Sequence, residues 1–246
     1  MLVLLPPSET KAAGGDGPPL ELEALSFPEL NPARDKLIDA LVELSSDVPA
    51  SLSALGISQR QADEVRRNAE LRHAPTVPAL HRYTGVLYDA LDVDGLSAAE
   101  RSRAYRRLAV ASALFGLVRG ADPIPAYRLS GGNALPSVGT LRGFWRPALE
   151  PVLAAVDELV VDLRSGPYAA LARVAGAITV RVVNEDAHGR RKTVSHHNKA
   201  HKGQLARTLA RAGREPSDVP ELVELAAGDG LHVERVTEHQ LELVIR

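Results

Sequence analysis

The sequence predicts a mixed α/β protein, one compact domain over residues 1–246 with a mixed sheet and a helical lobe. Three observations predict it. Short apolar runs of strand length, Leu2–Leu5 and Leu159–Leu163, are separated by stretches with helical spacing. The strand-like segments towards the C-terminus come as hairpins, so there is no regular βαβ repeat. No linker, low-complexity tract or internal repeat divides the chain.

Leu2–Leu5 reads as a buried strand stopped by Pro6 and Pro7. Residues 8–19 form a loop. Asn31-Pro32 opens a helix with Leu37, Ile38, Leu41 and Leu44 on one face, and Pro32 suits the first turn. Residues 51–71 read as two short helices about Leu55-Gly56-Ile57-Ser58. Arg101–Val118 reads as one central helix, buried all round in its apolar second half and ended by Gly116 and Gly120. Trp145–Val156 is a further helix. Leu159–Leu163 is a strand that turns at Arg164-Ser165-Gly166-Pro167 into a helix near Tyr168. Ala177–Val183 and Arg191–His196 alternate as a hairpin around residues 184–189. A helix from about Asn198 to Ala212 follows, and Leu231–Val236 with Gln240–Ile245 make a second hairpin.

Composition excludes several function classes. The chain has no cysteine, which rules out a disulfide partner, a thiolate metal site, an iron–sulfur cluster and a thiol redox cycle. The apolar start is too short for a secretory signal, and no run reaches the length of a membrane span. The expectation is a cytoplasmic protein with no membrane partner; the oligomeric state is left open.

Charge is unevenly placed. The formal net charge is −2, yet residues 187–214 contain no Asp or Glu and carry eight cations, so the rest of the chain sums to about −10. Arg190, Arg191, Lys192, Arg207, Arg211 and Arg214 in this run are candidate phosphate contacts to DNA; the alternative is a solvated basic face. Projected at about 100° per residue, Lys199 and Lys202 fall on the apolar side with Leu205, Ala206 and Leu209, whereas Gln204, Arg207, Thr208 and Arg211 face away. Lysine is scarce here, with five against 24 Arg. Two inward lysines therefore suggest a cleft, where desolvation and mutual repulsion would lower a lysine pKa.

His196, His197 and His201 suggest a metal, because His197 and His201 are four apart. No acidic residue nearby completes such a site, so neither metal nor cofactor is expected, and iron binding is kept as an alternative. Gly56-Ile57-Ser58 with Ala62 resembles a DNA-binding helix-hairpin-helix turn, with two plainly packed helices as the alternative. Ser165 and Tyr168 follow a strand, a common place for ligand-binding groups. Ser130-Gly131-Gly132-Asn133 reads as a flexible loop, and no Walker, dinucleotide or Gly-x-Ser-x-Gly motif is present.

Several ordered segments together resemble the YaaA family of peroxide-stress proteins. They are Leu4-Leu5-Pro6-Pro7-Ser8-Glu9-Thr10-Lys11, Tyr83-Thr84-Gly85-Val86-Leu87-Tyr88, and Leu114-Phe115-Gly116-Leu117-Val118-Arg119 followed by Asp122 and Pro125-Ala126-Tyr127-Arg128-Leu129. Phe144-Trp145, Leu163 with Ser165 and Tyr168, and Lys199-Ala200-His201-Lys202-Gly203 complete the order. Lys202 stands where the family commonly has Arg, and Arg164 replaces a small residue. The resemblance implies protection against peroxide, limitation of oxidative DNA damage, and an α/β body with a basic cleft and a helix-hairpin-helix element. The residues expected to bind a DNA or nucleotide-like ligand are Ser8, Lys11, Tyr83, Arg119, Tyr127, Arg128, Ser165 and Tyr168. Should the cleft carry an N-glycosidase or lyase type of reaction, Asp122 is expected as acid–base or charge stabiliser, with Lys199 or Lys202 as nucleophile.

Overall fold

The computed structural model describes residues 1–194 and 198–245. The chain enters as β1 (Leu2–Leu5), whose four residues have no exposed surface. Burying a leucine side chain contributes about 2 kcal/mol, so this strand anchors the core. A helical lobe follows, α1 (Asn31–Leu44), α2 (Val48–Leu55) and α3 (Ala62–Ala69). Arg34 on α1 is wholly buried, donating to the carbonyls of Phe115 at 3.0 Å, Leu117 at 2.6 Å and Ser26 at 2.8 Å. Burial lowers its pKa to about 10, so it remains a cation at neutral pH.

The α2–α3 connection is a packed turn. Gly56 closes α2 in the left-handed region at φ 65°, and Ser58 forms a capping box with Gln61. Next come β2 (Val77–Pro78), α4 (Ala79–Arg82), α5 (Val86–Leu91) and α6 (Ala98–Arg107).

The expected helix over residues 101–118 is overturned in its second half. α6 ends at Arg107, and the apolar run that follows is a buried hairpin of β3 (Leu108–Ser112) and β4 (Gly116–Arg119). An apolar run without periodicity fits a strand buried on both faces as well as a buried helix. Gly116 serves the hairpin at φ 71°, and a Cβ there would lie 2.7 Å from the Trp145 ring. Trp145 Nε1 donates to the Ala113 carbonyl at 2.8 Å.

Beyond the hairpin lie β5 (Pro123–Ile124), β6 (Ala134–Leu135), β7 (Gly139–Thr140), α7 (Leu141–Ala154), β8 (Val160–Asp162) and α8 (Gly166–Ala169). The chain continues through β9 (Ile178–Glu185), β10 (Arg191–Thr193), α9 (Asn198–Arg211), α10 (Val219–Gly228), β11 (Val233–Thr237) and β12 (Gln240–Ile245).

The main sheet has eight strands in the order β11-β12-β9-β8-β1-β3-β4, with β10 also on β9. β1 runs parallel to both β3 and β8, and β8 and β12 run parallel to β9. The hairpin strands β4, β10 and β11 are antiparallel to their partners. The fold is a single α/β domain. The crossovers leave β1 on both sides, towards β3 and towards β8. Such a point in an α/β sheet opens a crevice beyond the carboxyl ends of the strands. Among the described residues, no helix is long and apolar enough to cross a membrane.

Candidate functional site

That crevice is present. Pro6, Pro7, Ser8 and Glu9 after β1, and Leu163, Ser165, Pro167 and Tyr168 after β8, line a cleft of about 670 Å³. Thr84–Tyr88, Ser130 and Gly132 form further walls, and Asn198, Lys199 and Lys202 of α9 close it. α9 approaches so nearly because Gly203 has no side chain: a Cβ there would sit 2.2 Å from the Leu87 carbonyl oxygen.

Each wall is held by polar contacts. The Ser8 hydroxyl donates to the Thr10 carbonyl at 2.5 Å and accepts from Thr84 N–H at 3.1 Å. Tyr88 donates to the Pro6 carbonyl at 2.8 Å and stacks on Tyr83 with ring centres 5.6 Å apart. Arg164 grips Asp162 with two nitrogens at 2.9 and 2.8 Å and reaches the Tyr168 carbonyl at 3.3 Å, which shapes the loop carrying Ser165. The Tyr168 hydroxyl accepts from Gly131 N–H at 3.1 Å. Residues 130–133, expected as a flexible loop, are tied down by Asn133. Its side chain accepts from Ser130 N–H at 2.7 Å and donates to the Ala54 and Leu55 carbonyls at the end of α2. The end of α2 therefore supports the segment that carries Ser130 and Gly132 into the cleft wall.

The lysines carry its charge. Lys202 is half-buried, donates to the Leu163 carbonyl at 3.0 Å, and has its pKa lowered by burial, with Asp162 opposing the shift. Lys199 is exposed at the mouth and pairs with no carboxylate among the described residues. Lys11 lies behind Ser8 and Glu9, donating to their carbonyls at 3.1 and 3.4 Å. Its ammonium is 4.2 Å from the Tyr127 ring centre and 5.5 Å from that of Tyr83. Burial, assisted by the Arg128 charge, lowers the Lys11 pKa to about 7. Arg128 pairs with Glu9 at 2.6 Å. Tyr83 and Tyr127 share a hydrogen bond of 2.9 Å, Tyr127 reaches Ser112 at 2.8 Å, and burial raises both phenol pKa values.

The structure thus gathers Ser8, Lys11, Tyr83, Tyr127, Arg128, Ser165, Tyr168, Lys199 and Lys202 around one end of the sheet. It does not bring Arg119 and Asp122 there. Arg119 pairs in register with Ala109 near the start of β3, at the sheet edge opposite to the carboxyl ends of the parallel strands. It borders a separate depression with Phe27 and Glu158, and its guanidinium lies 5.4 Å from the Phe27 ring centre. Asp122 is buried; it accepts from Ser26 N–H at 3.0 Å, the Ser26 hydroxyl at 2.7 Å and Arg119 N–H at 2.9 Å, while burial raises its pKa. These contacts stitch a loop to the hairpin and leave the carboxylate no path to the cleft.

The acid-free run is neutralised from elsewhere. Arg190 pairs with Asp186 at 2.8 Å, and Arg191 with Glu185, Glu234 and Glu242 at 2.9, 2.6 and 3.0 Å. Arg211 pairs with Glu100 at 2.9 Å, and Arg214 with Glu221 at 3.0 Å. Arg207, expected to face solvent, is half-buried against the Leu91 carbonyl at 2.7 Å and the Asp92 carboxylate at 3.1 Å. Thr208, on the same expected outer face, is buried and donates to Asp229 at 2.5 Å, because the end of α10 covers that side. Lys192 is exposed and pairs with no carboxylate among the described residues. His196 and His197 lie outside the described residues. His201 meets Gln204 at 3.2 Å, and among the described residues no cluster of three His, Cys, Asp or Glu could hold a metal.

Sequence reasoning missed Thr84, Tyr88, Ser130, Gly132, Asn133 and Arg164 as builders of the site. Thr84 and Tyr88 lay inside a quoted motif, and Arg164 stood out as a departure from the family pattern. Ser130, Gly132 and Asn133 lie in a Gly-rich segment that reads as a flexible loop.

A family model described as peroxide stress protein YaaA matches residues 1–235. This chain belongs to the YaaA family. A UPF0246 protein of Corynebacterium efficiens is 51% identical over 238 residues, covering 95% of both chains. One from Streptomyces coelicolor is 47% identical over 242 residues, covering 95% of this chain and 92% of its own. A UPF0246 protein of Shewanella denitrificans is 26% identical over 238 residues, covering 91% and 90%. The YaaA assignment therefore spans the sheet, the cleft and α9 together.

Proposed function

We propose that this YaaA-family protein holds a phosphate-bearing, nucleotide-like group in the cleft, a nucleotide turned out of damaged DNA, and so limits oxidative DNA damage. The supporting observation is the contrast between paired arginines and unpaired lysines. The arginines of the acid-free run have carboxylate partners, whereas among the described residues Lys199 and Lys202 form no ion pair in the cleft they share with Glu9. A phosphate there would gain two cations without first breaking an ion pair. Ser8, Ser165 and Tyr168 add hydroxyls, and Pro6, Pro7, Val86 and Tyr168 add apolar surface for a base. The resemblance of the α2–α3 turn to a helix-hairpin-helix supports reading it as a contact for the backbone of a longer strand. Lys192, exposed and without an ion pair among the described residues, offers a further cation.

Fluorescence anisotropy with labelled duplex and single-stranded oligonucleotides tests this reading, with free AMP as competitor. Affinity should fall with salt in proportion to the phosphates held. Lys199→Glu and Lys202→Met should each weaken binding by about tenfold or more, equivalent to about 1.4 kcal/mol. Competition by AMP at the same site would identify a single nucleotide as the unit recognised. Binding that is indifferent to both lysine variants would remove the cleft from the reading. Complementation of a gene-deleted strain under peroxide by wild type, but not by Lys202→Met, would tie the cleft to protection.

A further inference from the structure

Lys11 is the cation that phosphate binding leaves unused. Its ammonium lies against the carbonyls of Ser8 and Glu9, two residues of the cleft wall. Among the described residues it has no carboxylate within ion-pair distance. Its protons meet only neutral carbonyls and the faces of two tyrosines. Of the charged groups around it, Arg128 is tied to Glu9 and Arg67 to Glu64, and the two carboxylates only partly offset the effect of burial on Lys11.

The backbone that carries Lys11 is also held firmly. Lys11 bridges Tyr83 in an antiparallel pair, Ala12 N–H donates to the Arg82 carbonyl at 2.9 Å, and the buried Arg82 guanidinium returns a hydrogen bond to the Ala12 carbonyl. Arg82 also donates to the Ile124 carbonyl at 3.1 Å and the Pro75 carbonyl at 3.2 Å. An amine that is rigidly placed, poorly solvated and free of a carboxylate is arranged to react as a free base rather than to bind as a cation.

We propose that the Lys11 amine condenses with an aldehyde carbon of the ligand in the cleft, and that the ring-opened sugar of an abasic site in DNA is the substrate class. This rests on the nucleotide reading above and deepens it. An abasic sugar carries an aldehyde at C1′ between two phosphates, which suits a site with Lys199 and Lys202 for the phosphates and an amine against the wall formed by Ser8 and Glu9. It also lacks a base, so the wall residues Ser8 and Glu9 are left open to the sugar. The lone pair of neutral Nζ adds to C1′, and the carbonyl oxygen takes up a proton to give a carbinolamine. Nitrogen then loses its proton and the hydroxyl leaves as water. Amine and aldehyde become imine and water with no change of oxidation state. With its pKa near 7, Lys11 supplies the neutral amine in roughly half of the molecules at neutral pH.

The test is borohydride trapping on a labelled duplex with one abasic site, read on a denaturing gel and by mass mapping of the adduct peptide. Anisotropy on the same duplex is measured in parallel. Wild type should give a covalent adduct on the peptide containing Lys11. Lys11→Arg should lose the adduct while binding the duplex to within about threefold. Lys11→Met, checked by thermal melting, should behave likewise, so that a misfolded Arg variant does not decide the result. An adduct on Lys199 or Lys202, an adduct that persists in Lys11→Arg, or tight binding without any adduct overturns the proposal. Failure of wild type to bind any oligonucleotide overturns the nucleotide reading, and the imine with it; anisotropy separates that outcome from loss of chemistry alone.

Discussion

The Lys11 ammonium lies 4.2 Å above the ring centre of Tyr127, a tyrosine whose own hydroxyl is turned away to Ser112 and Tyr83. The ring face offers weak attraction to the cation, while the hydroxyl chain is spent within the core. Burial therefore dominates, and the Lys11 pKa falls to about 7.

Stability should record this directly. Lys11 has a folded pKa of about 7 against 10.5 for the free side chain. Between these values the unfolded chain binds more protons than the folded one, so stability rises with pH. Below pH 7 both states are protonated and the cost of the buried cation is fully present. Urea denaturation should show wild type gaining up to about 1 kcal/mol per pH unit between pH 7 and 10 relative to Lys11→Met. Parallel curves for the two proteins would place the ammonium in water. Arg128, Arg67, Glu9, Glu64, Tyr83 and Tyr127 face the same group, and the difference against Lys11→Met removes the part of their titrations that does not depend on the Lys11 charge.

Gly203→Ala should loosen the cleft from behind. The new methyl meets the Leu87 carbonyl oxygen at 2.2 Å, so α9 must shift away from α5. A destabilisation of about 1–3 kcal/mol is expected, lowering Tm by about 2–4 °C per kcal/mol. Ligand binding should weaken as well, because Lys199 and Lys202 travel with α9. An unchanged melting curve would show that the two helices are less closely apposed.

Arg207→Glu with Arg211→Glu should act on folding before it acts on ligand. Arg207 secures the end of α5 through Leu91 and Asp92, and Arg211 joins α9 to Glu100 of α6. Reversing both sets like charges against Asp92, Glu100 and Asp229. A lower Tm, with oligonucleotide affinity kept in the folded fraction, is the expected result. Loss of affinity at unchanged Tm would instead assign these arginines to the ligand.

The Arg164–Asp162 pair should behave as a buried ion pair. Arg164→Met alone strands the carboxylate and should cost about 3–5 kcal/mol, whereas Arg164→Met with Asp162→Leu should recover much of it. A double-mutant cycle by thermal denaturation measures the coupling. Because Arg164 also holds the Tyr168 carbonyl, both variants should weaken cleft binding even where stability returns.

Local pattern sufficed wherever one residue type has one physical outcome. An apolar quartet before two prolines is a buried strand, Leu37, Ile38 and Leu41 at helical spacing form a buried face, and alternation over residues 178–183 is a strand. The ordered motifs also contained several residues that line the cleft, among them Ser8, Ser165, Tyr168, Lys199 and Lys202. The lysine side of α9 was legible because Leu205 and Leu209 mark which side of a helix is buried.

Tertiary structure decided the rest, for reasons that lie outside any local window. Leu108–Val118 is apolar on every side, so helix and hairpin bury it equally well; pairing with β1 and the Trp145 ring against Gly116 settle it as strands. The acid-free run looked like free positive charge because some of its partners, Glu100, Glu234 and Glu242, are distant in sequence, while Glu185, Asp186 and Glu221 lie just outside its two ends. Arg119 and Asp122 share a motif with Tyr127 and Arg128, yet the antiparallel turn at Gly116 sends Arg119 back down the sheet, and Asp122 with it. Coulomb and packing energies depend on distance in space, and a chain that reverses direction separates neighbours in sequence while joining residues a hundred positions apart.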